Sequence, residues 1–458
     1  MVLPPVKQER PSPAVAQGFP SGIGLSFDEL VSHLKVQFLL LPDVRQGSNT
    51  QYHIQDAALS AFSVFFTQSP SFLAYQRSMQ EEKGRNNVSS LFKVSNIPSD
   101  NHIRNLLDPV TPKHLIHAYH FVYQSLVKAG HIEEYRCLNN TLLIALDGVC
   151  YHSSGEISCA KCHTAKHKNG TITYTHSAIT PVIVKPGCAH VIPLPPEFIT
   201  PQDGHEKQDS EHAASKRWLK EHAQIYAAMG VTFLGDDLYD CQPICIAMLE
   251  EKCHFILTCK PDSHKTLYEW IDGLDKINKV KTYIQKRRHG KKQFTDTYRF
   301  VSKVPLRDSD DALLVNWFEL ITTDANGKVI YRNAFVTDHE VTEGNICQMV
   351  LAGRARWKIE NENNNVLKTK GYNLEHNFGH GKQYLSQLLL SMNILAFLYH
   401  TVLHFTDLAY QKIREKLPTR KTFFDDLRAL TRYIYFDGWK EIMDFMADGL
   451  EIELYSTA

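Results

Sequence analysis

Leu142-Leu143-Ile144-Ala145-Leu146-Asp147-Gly148 is the stretch on which the reading of the chain turns. An apolar run this short, ending in a carboxylate and a glycine, reads as a strand buried on both faces. Asp147 then falls at the carboxyl end of the strand, where open α/β sheets place their ligands. A partly desolvated carboxylate there is costly unless it meets a cation or serves a reaction. The competing reading is a turn begun by Asp147 and Gly148. The pattern recurs downstream: Val231-Thr232-Phe233-Leu234-Gly235 is a second buried strand, and it runs into Asp236-Asp237-Leu238-Tyr239. Neighbouring side chains on a strand alternate, so only one of Asp236 and Asp237 can face inward. His254–Thr258 reads as a further strand.

Upstream, residues 1–25 are rich in Pro, Gly and Ser without periodicity and are expected to be a disordered tail. Ser26 and Glu29 form a capping-box pattern, followed by Leu30, Val31, Leu34 and Phe38 at helical spacing. More helices are expected over Ile54–Thr67, from Phe72, and over Ser99–Asn105, stopped by Asp108-Pro109. Residues 26–138 thus read as an all-helical domain. Its short polar helix carries Asn101, His102, Arg104 and Asn105, types that contact bases or phosphates, although a polar helix needs no such partner.

The chain's 458 residues suffice for two or three domains, and the 43% hydrophobic content is that of a globular protein. Lys+Arg and Asp+Glu balance at 50 each, so any basic surface must be local. Ten cysteines at irregular spacing suggest free thiols in a reducing compartment. There is no charged-then-apolar leader pattern. The apolar stretch Tyr384–Phe405 is broken by Gln387, Asn393, His400 and His404, as in a buried helix rather than a membrane span. A cytoplasmic protein is expected.

Beyond Asp147, Cys159 and Cys162 have the spacing of half a zinc knuckle, with His152, His167 and His176 as further donors. Two free thiols on a hairpin tip are the alternative. Thr171–Lys185 alternates like one long strand. Pro201–Gly204 reads as a loop, and Asp209 as the cap of a helix reaching Met229. Residues 266–340 change to strands and tight turns, a β-rich insertion with Asn326-Gly327 as a two-residue hairpin turn. Lys286–Lys292 forms a hairpin tip bearing Lys286, Arg287, Arg288, Lys291 and Lys292, suited to phosphates or merely solvated. Glu343 is expected to begin a long helix on which Arg356, Glu360 and Lys368 share a broad side, as a functional face or a surface ladder of ion pairs. His376 and His380 are four apart, but Gly379 argues against a regular helix, and no metal site is assigned to them. Amphipathic helices over Phe423–Tyr435 and Trp439–Leu450 end the chain.

Asp147, Asp236 and Glu360 together would suit two divalent cations, because hard oxygen ligands hold Mg²⁺ and leave positions for phosphate oxygens. No Gly-x-Ser-x-Gly or phosphate-loop pattern competes with that reading.

The segments LIALDGVCYHSS, VTFLGDDLYDCQP and RARWKIENENNNVLKTKGYNLEHNFGHG resemble those of bacterial insertion-sequence DDE transposases. The last is similar to the Arg-x-x-x-Glu…Lys signature helix of that group. The resemblance spans about Leu142 to His380. It implies an α/β fold: an RNase H-like mixed-sheet catalytic core over 139–265 and 341–415, interrupted by the β-strand insertion and followed by C-terminal helices over 416–458. It implies Mg²⁺- or Mn²⁺-dependent cleavage of element ends and joining of the 3′-hydroxyl to target DNA, two ions being held by Asp147, Asp236 and Glu360. Asp236 is preferred because Tyr239 completes the group's Asp-x-x-Tyr; Asp237 and Glu362 stand in reserve. Arg356 and Lys368 would contact DNA phosphates, with Arg104 and the basic tip as further contacts. The implied partners are double-stranded DNA and a second copy of the chain in a dimer or larger assembly on the nucleoid, with no membrane. A nuclease without strand transfer, or a catalytically silent DNA-binding descendant, are the alternatives. The chain departs from the signature in three ways. Gly353 stands where a tyrosine is expected, Lys368 lies one residue further from the glutamate, and Asn363-Asn364-Asn365 replaces a stretch that commonly holds an aromatic.

Overall fold

The computed structural model describes residues 25–45, 52–79, 82–201 and 209–454. The expected N-terminal tail, except Leu25, and the loop at Gln202–Gly204 lie outside them.

The helical front end follows its caps. Helix Phe27–Leu39 begins with the reciprocal Ser26–Glu29 capping box, and its spaced apolar residues Leu30, Val31, Leu34 and Phe38 are buried. Helix Ile54–Phe66 is buried almost all round because it packs against Leu385–Thr406, with Phe62 edge-on to Tyr399. Helix Asp100–Leu107 is capped by Ser99 and followed by Asp108. Leu385–Thr406 has the length and apolarity of a membrane span, but 89% of its apolar window is buried in the protein. One apolar core runs from Leu25 through these helices and the sheet to Ala447.

The strands are β1 (Leu142–Ala145), β2 (Gly148–Ser154), β3 (His163–Lys166), β4 (Ile172–Ile179), β5 (Val182–Val184), β6 (Ile192–Pro193), β7 (Glu197–Ile199), β8 (Val231–Gly235), β9 (His254–Thr258), β10 (Lys281–His289), β11 (Lys292–Pro305), β12 (Leu314–Asp324) and β13 (Val329–Thr337). The main sheet has the order β10-β11-β12-β13-β9-β8-β1-β5-β6. At its centre β1, β8 and β9 are parallel, joined by helices Glu211–Ala227 and Gln242–Glu250, as parallel neighbours require a crossover. β1 and β8 are buried at every position, which is why their sequences are continuously apolar. On the other side of β1 the neighbours β5 and β6 are antiparallel.

Four expectations change. Thr171–Lys185 is two strands rather than one, divided at Thr180-Pro181. Pro181 has no N–H to continue a ladder, and the Thr180 N–H turns to the Asp147 carbonyl (3.1 Å). β4 stays in a smaller sheet with β2, β3 and β7, while β5 enters the main sheet beside β1. The strands of 281–337 continue the main sheet, because β13 pairs with β9. The basic tip turns as expected, His289 pairing with Lys292, but the Asn326-Gly327 turn is a three-residue loop, Ala325–Gly327, closed by the Asp324 N–H on the Lys328 carbonyl (2.9 Å), with only Gly327 at positive φ. Finally, the helix expected from Glu343 starts at Ile346, is interrupted at Ala355-Arg356, and takes a wider π turn over Ile359–Asn364 before Asn365–Thr369.

Candidate active site at the strand ends

The register Ala145↔Leu234 carries Asp147 and Asp236 to the same end of adjacent parallel strands. The π turn brings a third acid there. Asn364 donates from Nδ2 to Asp147 Oδ2 (3.1 Å), which docks the helix onto the end of β1. Asn364 is itself fixed by Thr180 Oγ1 (2.9 Å) and Asn363 Nδ2 (3.0 Å), both donating to its Oδ1. Glu360, four residues earlier, pairs with Arg356 at 2.8 Å. Burial pushes the Asp147 carboxyl up to about 7, and the charges of Glu211, Glu360 and Asp236 add to this against the pull of Arg356. Asp147 therefore feels the charges of Asp236, Glu360 and Glu211 at this end of the sheet, although among the described residues these acids do not form a group whose donor atoms all lie within 4.8 Å of one another.

The fourth acid, Glu211, escaped the sequence reading. It is the first residue of helix Glu211–Ala227, whose cap is Ser210 rather than Asp209. Tyr239 donates to Glu211 Oε1 (2.8 Å). Burial raises the Glu211 carboxyl, and Asp236 adds to the effect. Two glycines make this approach possible. A Cβ on Gly148 would lie 2.5 Å from Glu211 Oε2, and one on Gly235 would lie 2.6 Å from Tyr239 Cβ. Gly148 beside Asp147 was thus the signal for a close neighbour, where the sequence suggested only a turn.

Asp236 and Asp237 both lie past the end of β8, both half-buried and both bordering one groove, so strand alternation does not separate them and their hydrogen bonds do. Asp237 closes a loop, accepting from the Lys260 N–H and Ser263 Oγ, both at 2.7 Å. Asp236 accepts from the Leu238 N–H (2.9 Å) and borders an open groove of ≈ 880 Å³, which Lys260, Lys265 and Arg307 also line. Glu362 is half-buried.

The signature departures have local causes. A side chain on Gly353 would meet Phe335 at 2.7 Å and Ile256 at 3.1 Å, so a tyrosine has no room. A π turn accommodates one extra residue in a helix, matching the longer Glu360–Lys368 spacing. Asn363 and Asn364 form the network that grips Asp147, and Asn365 is exposed.

The expected DNA contacts are dispersed. Lys368 pairs with Glu375 (2.8 Å). Arg104 donates to the Phe378 carbonyl (2.9 Å) and pairs with Asp100, so it anchors a loop. Arg287 lies on the tip hairpin but pairs with buried Asp296 at 2.5 Å. Arg288 bonds the Gly290 carbonyl (3.1 Å). Arg287, Lys291, Lys292 and Arg354 line a groove of ≈ 900 Å³ with Phe294 and Tyr331. Trp317 is fully buried with Val315 and Glu319, as core packing demands.

The cysteine pair is close to histidines, but not the full expected set. His176 and His380 adjoin Cys159 and Cys162, whereas exposed His167 bonds Thr173 (2.8 Å). His167 is therefore not part of this cluster: it lies in the turn between β3 and β4, exposed and outside the group around the sulfurs. The segment around Gly379 is irregular, as expected, and that irregularity lets His380 reach Cys162. Comparison of the sequence with models of known protein families finds no match, and no curated protein matches it either.

Proposed function

We propose that this chain is a DDE-type DNA transposase with an RNase H-like core, which cuts element ends and joins the freed 3′-hydroxyl to target DNA. The observation that carries this reading is the convergence of Asp147, Asp236 and Glu360, with Glu211, where two parallel strands end. The mixed sheet around β1, parallel on one side and antiparallel on the other, supports it.

The donor set fits divalent cations of the Mg²⁺ or Mn²⁺ kind. All four side chains offer hard oxygens, and the metal-free cluster holds the Asp147 carboxyl in an environment that opposes its charge. Bound there, such ions supply activation of the attacking hydroxyl and stabilisation of the leaving oxygen. The residues around the acids do the positioning. Asn364 fixes one oxygen of Asp147, Tyr239 fixes Glu211, and Arg356 orients Glu360. Lys260, Lys265 and Arg307 line the groove beside Asp236 and would meet phosphate oxygens there, among the carboxylates of Asp237, Asp240, Asp262 and Asp308 that share the lining. Arg288, Lys291 and Lys292 form a separate basic surface on the exposed hairpin tip at the edge of the sheet. Two copies of the chain would be needed to hold two ends together.

The test is incubation of full-length protein with labelled candidate ends and Mg²⁺ or Mn²⁺. The expected products are nicked ends and joined strands, both absent with Asp147→Asn. Nicking without joining would point to a nuclease, and binding with neither to a silent DNA-binding protein. Full activity in Asp147→Asn would remove the reading.

A further inference from the structure

The side chains of Cys159, Cys162, His176 and His380 each turn one donor atom toward a common centre, and these atoms all lie within 4.8 Å of one another. Individual separations are 3.9 Å between the sulfurs, 3.3 and 3.0 Å from His176 Nε2 to the sulfurs of Cys159 and Cys162, and 3.7 Å from His380 Nε2 to Cys162 Sγ. A tetrahedral zinc ion with Zn–S near 2.3 Å and Zn–N near 2.0–2.1 Å sets its ligand atoms about 3.3–3.8 Å apart. Hydrogen bonds alone account poorly for the arrangement. One imidazole nitrogen faces two sulfurs, and a single N–H or lone pair cannot satisfy both.

The surroundings have the features of a metal shell. Tyr151 Oη lies 3.2 Å from His176 Nδ1, so the nitrogen opposite the cluster has a partner that fixes the ring. The Cys159 N–H donates to Cys162 Sγ (3.3 Å). The loop carrying His380 is held independently of any ion. Asp108 accepts from the N–H groups of Lys382, Gln383 and Leu385, and Arg104 holds the Phe378 carbonyl. A Cβ on Gly381, which has a φ of +69°, would lie 2.3 Å from Asp108 Oδ1, so the loop sits directly on that carboxylate. The His152 ring lies 4.6 Å from that of His380, tilted against it, but is not among the four donors.

We propose that Cys159, Cys162, His176 and His380 bind one structural Zn²⁺ ion. Four protein donors leave no open position, so the site is structural rather than catalytic. The ion joins segments more than two hundred residues apart. The cysteines follow Asp147 along β2, and His380 follows the helix that carries Glu360. Zinc would therefore clamp together the two chain segments that deliver these acids, whether or not the acids cleave DNA.

The experiment uses full-length protein purified under reducing conditions without added metal. Elemental analysis should find one zinc per chain. Cys162→Ser and His380→Ala should each lower this to well under one, whereas His167→Ala should retain it. Because a ligand variant can fail to fold, the wild-type protein supplies a second readout. After zinc removal, Co²⁺ alone should give the intense visible bands of a tetrahedral site with thiolate charge transfer, and Zn²⁺ should abolish them. Metal-free wild-type protein that gives no tetrahedral cobalt spectrum would overturn the proposal. So would a Cys159–Cys162 disulfide in the active protein. Zinc retained in folded His380→Ala would overturn the four-ligand assignment.

Discussion

Asp147 ionises against its surroundings, and this sets its pH behaviour. Its carboxyl sits near 7 in the folded chain and near the ordinary value of 3.8 when unfolded. Between those values the folded state holds the extra proton, so stability falls as pH rises through the window. Metal-free protein in chelator is therefore expected to melt at lower temperature at pH 7.5 than at pH 5. Asp147→Asn should reduce that slope and raise stability at neutral pH by roughly 1–4 kcal/mol. Some slope should remain, because Glu211 is raised as well. On the proposed chemistry, the same variant loses cleavage and joining together by orders of magnitude while DNA binding persists. A melting curve against pH and a gel assay check the two halves separately. Asp236→Asn and Glu360→Gln should also be inactive. Asp237→Asn should be active but less stable, since its amide keeps an acceptor for only one of the Lys260 N–H and the Ser263 hydroxyl.

At the level of elements, the site depends on how closely a strand end and a helix start approach. Gly148→Ala would drive a methyl group into Glu211 Oε2, and overpacking of this kind costs about 1–3 kcal/mol. Glu211→Ala removes the obstructing atoms, so the double variant should be more stable than the sum of the single changes predicts. Additive denaturant midpoints would mean that the two residues do not collide. The π turn is the other critical element. Asn364→Ala would strip the donor from Asp147 and leave Asn363 and Thr180 without their acceptor, a loss of about 1–3 kcal/mol. Asn365→Ala, on the exposed side, should cost far less.

For the whole molecule, the basic hairpin reaches out from the edge of the nine-stranded sheet, far along it from β1. Neutralising Arg288, Lys291 and Lys292 together should weaken binding to all DNA sequences alike and flatten its salt dependence. An unchanged salt slope would show that the tip does not touch DNA. Arg287 is left out of that set because its partner Asp296 is buried. Arg287→Gln would leave a buried charge unpaired, so its effect on binding would be confounded by lost stability.

The sequence by itself determined most of the elements and the placing of Asp147 and Asp236 at strand ends. Short apolar runs that end at a carboxylate or glycine read as strands covered on both faces, so the positions of Asp147 and Asp236 just past two strand ends were legible. Capping residues and helical spacing likewise settled the front helices. Tertiary structure decided what no local pattern encodes. Glu211 reaches the site because a helix start abuts Gly148, and Asn364 because a π turn rotates it onto β1. Thr171–Lys185 divides between two sheets because Pro181 cannot extend the first. His380 meets Cys162 because Asp108 and Arg104 anchor its loop from another helix. In each case the deciding contact lies between residues distant in the chain, whereas sequence periodicity reports only which face of its own element a residue occupies.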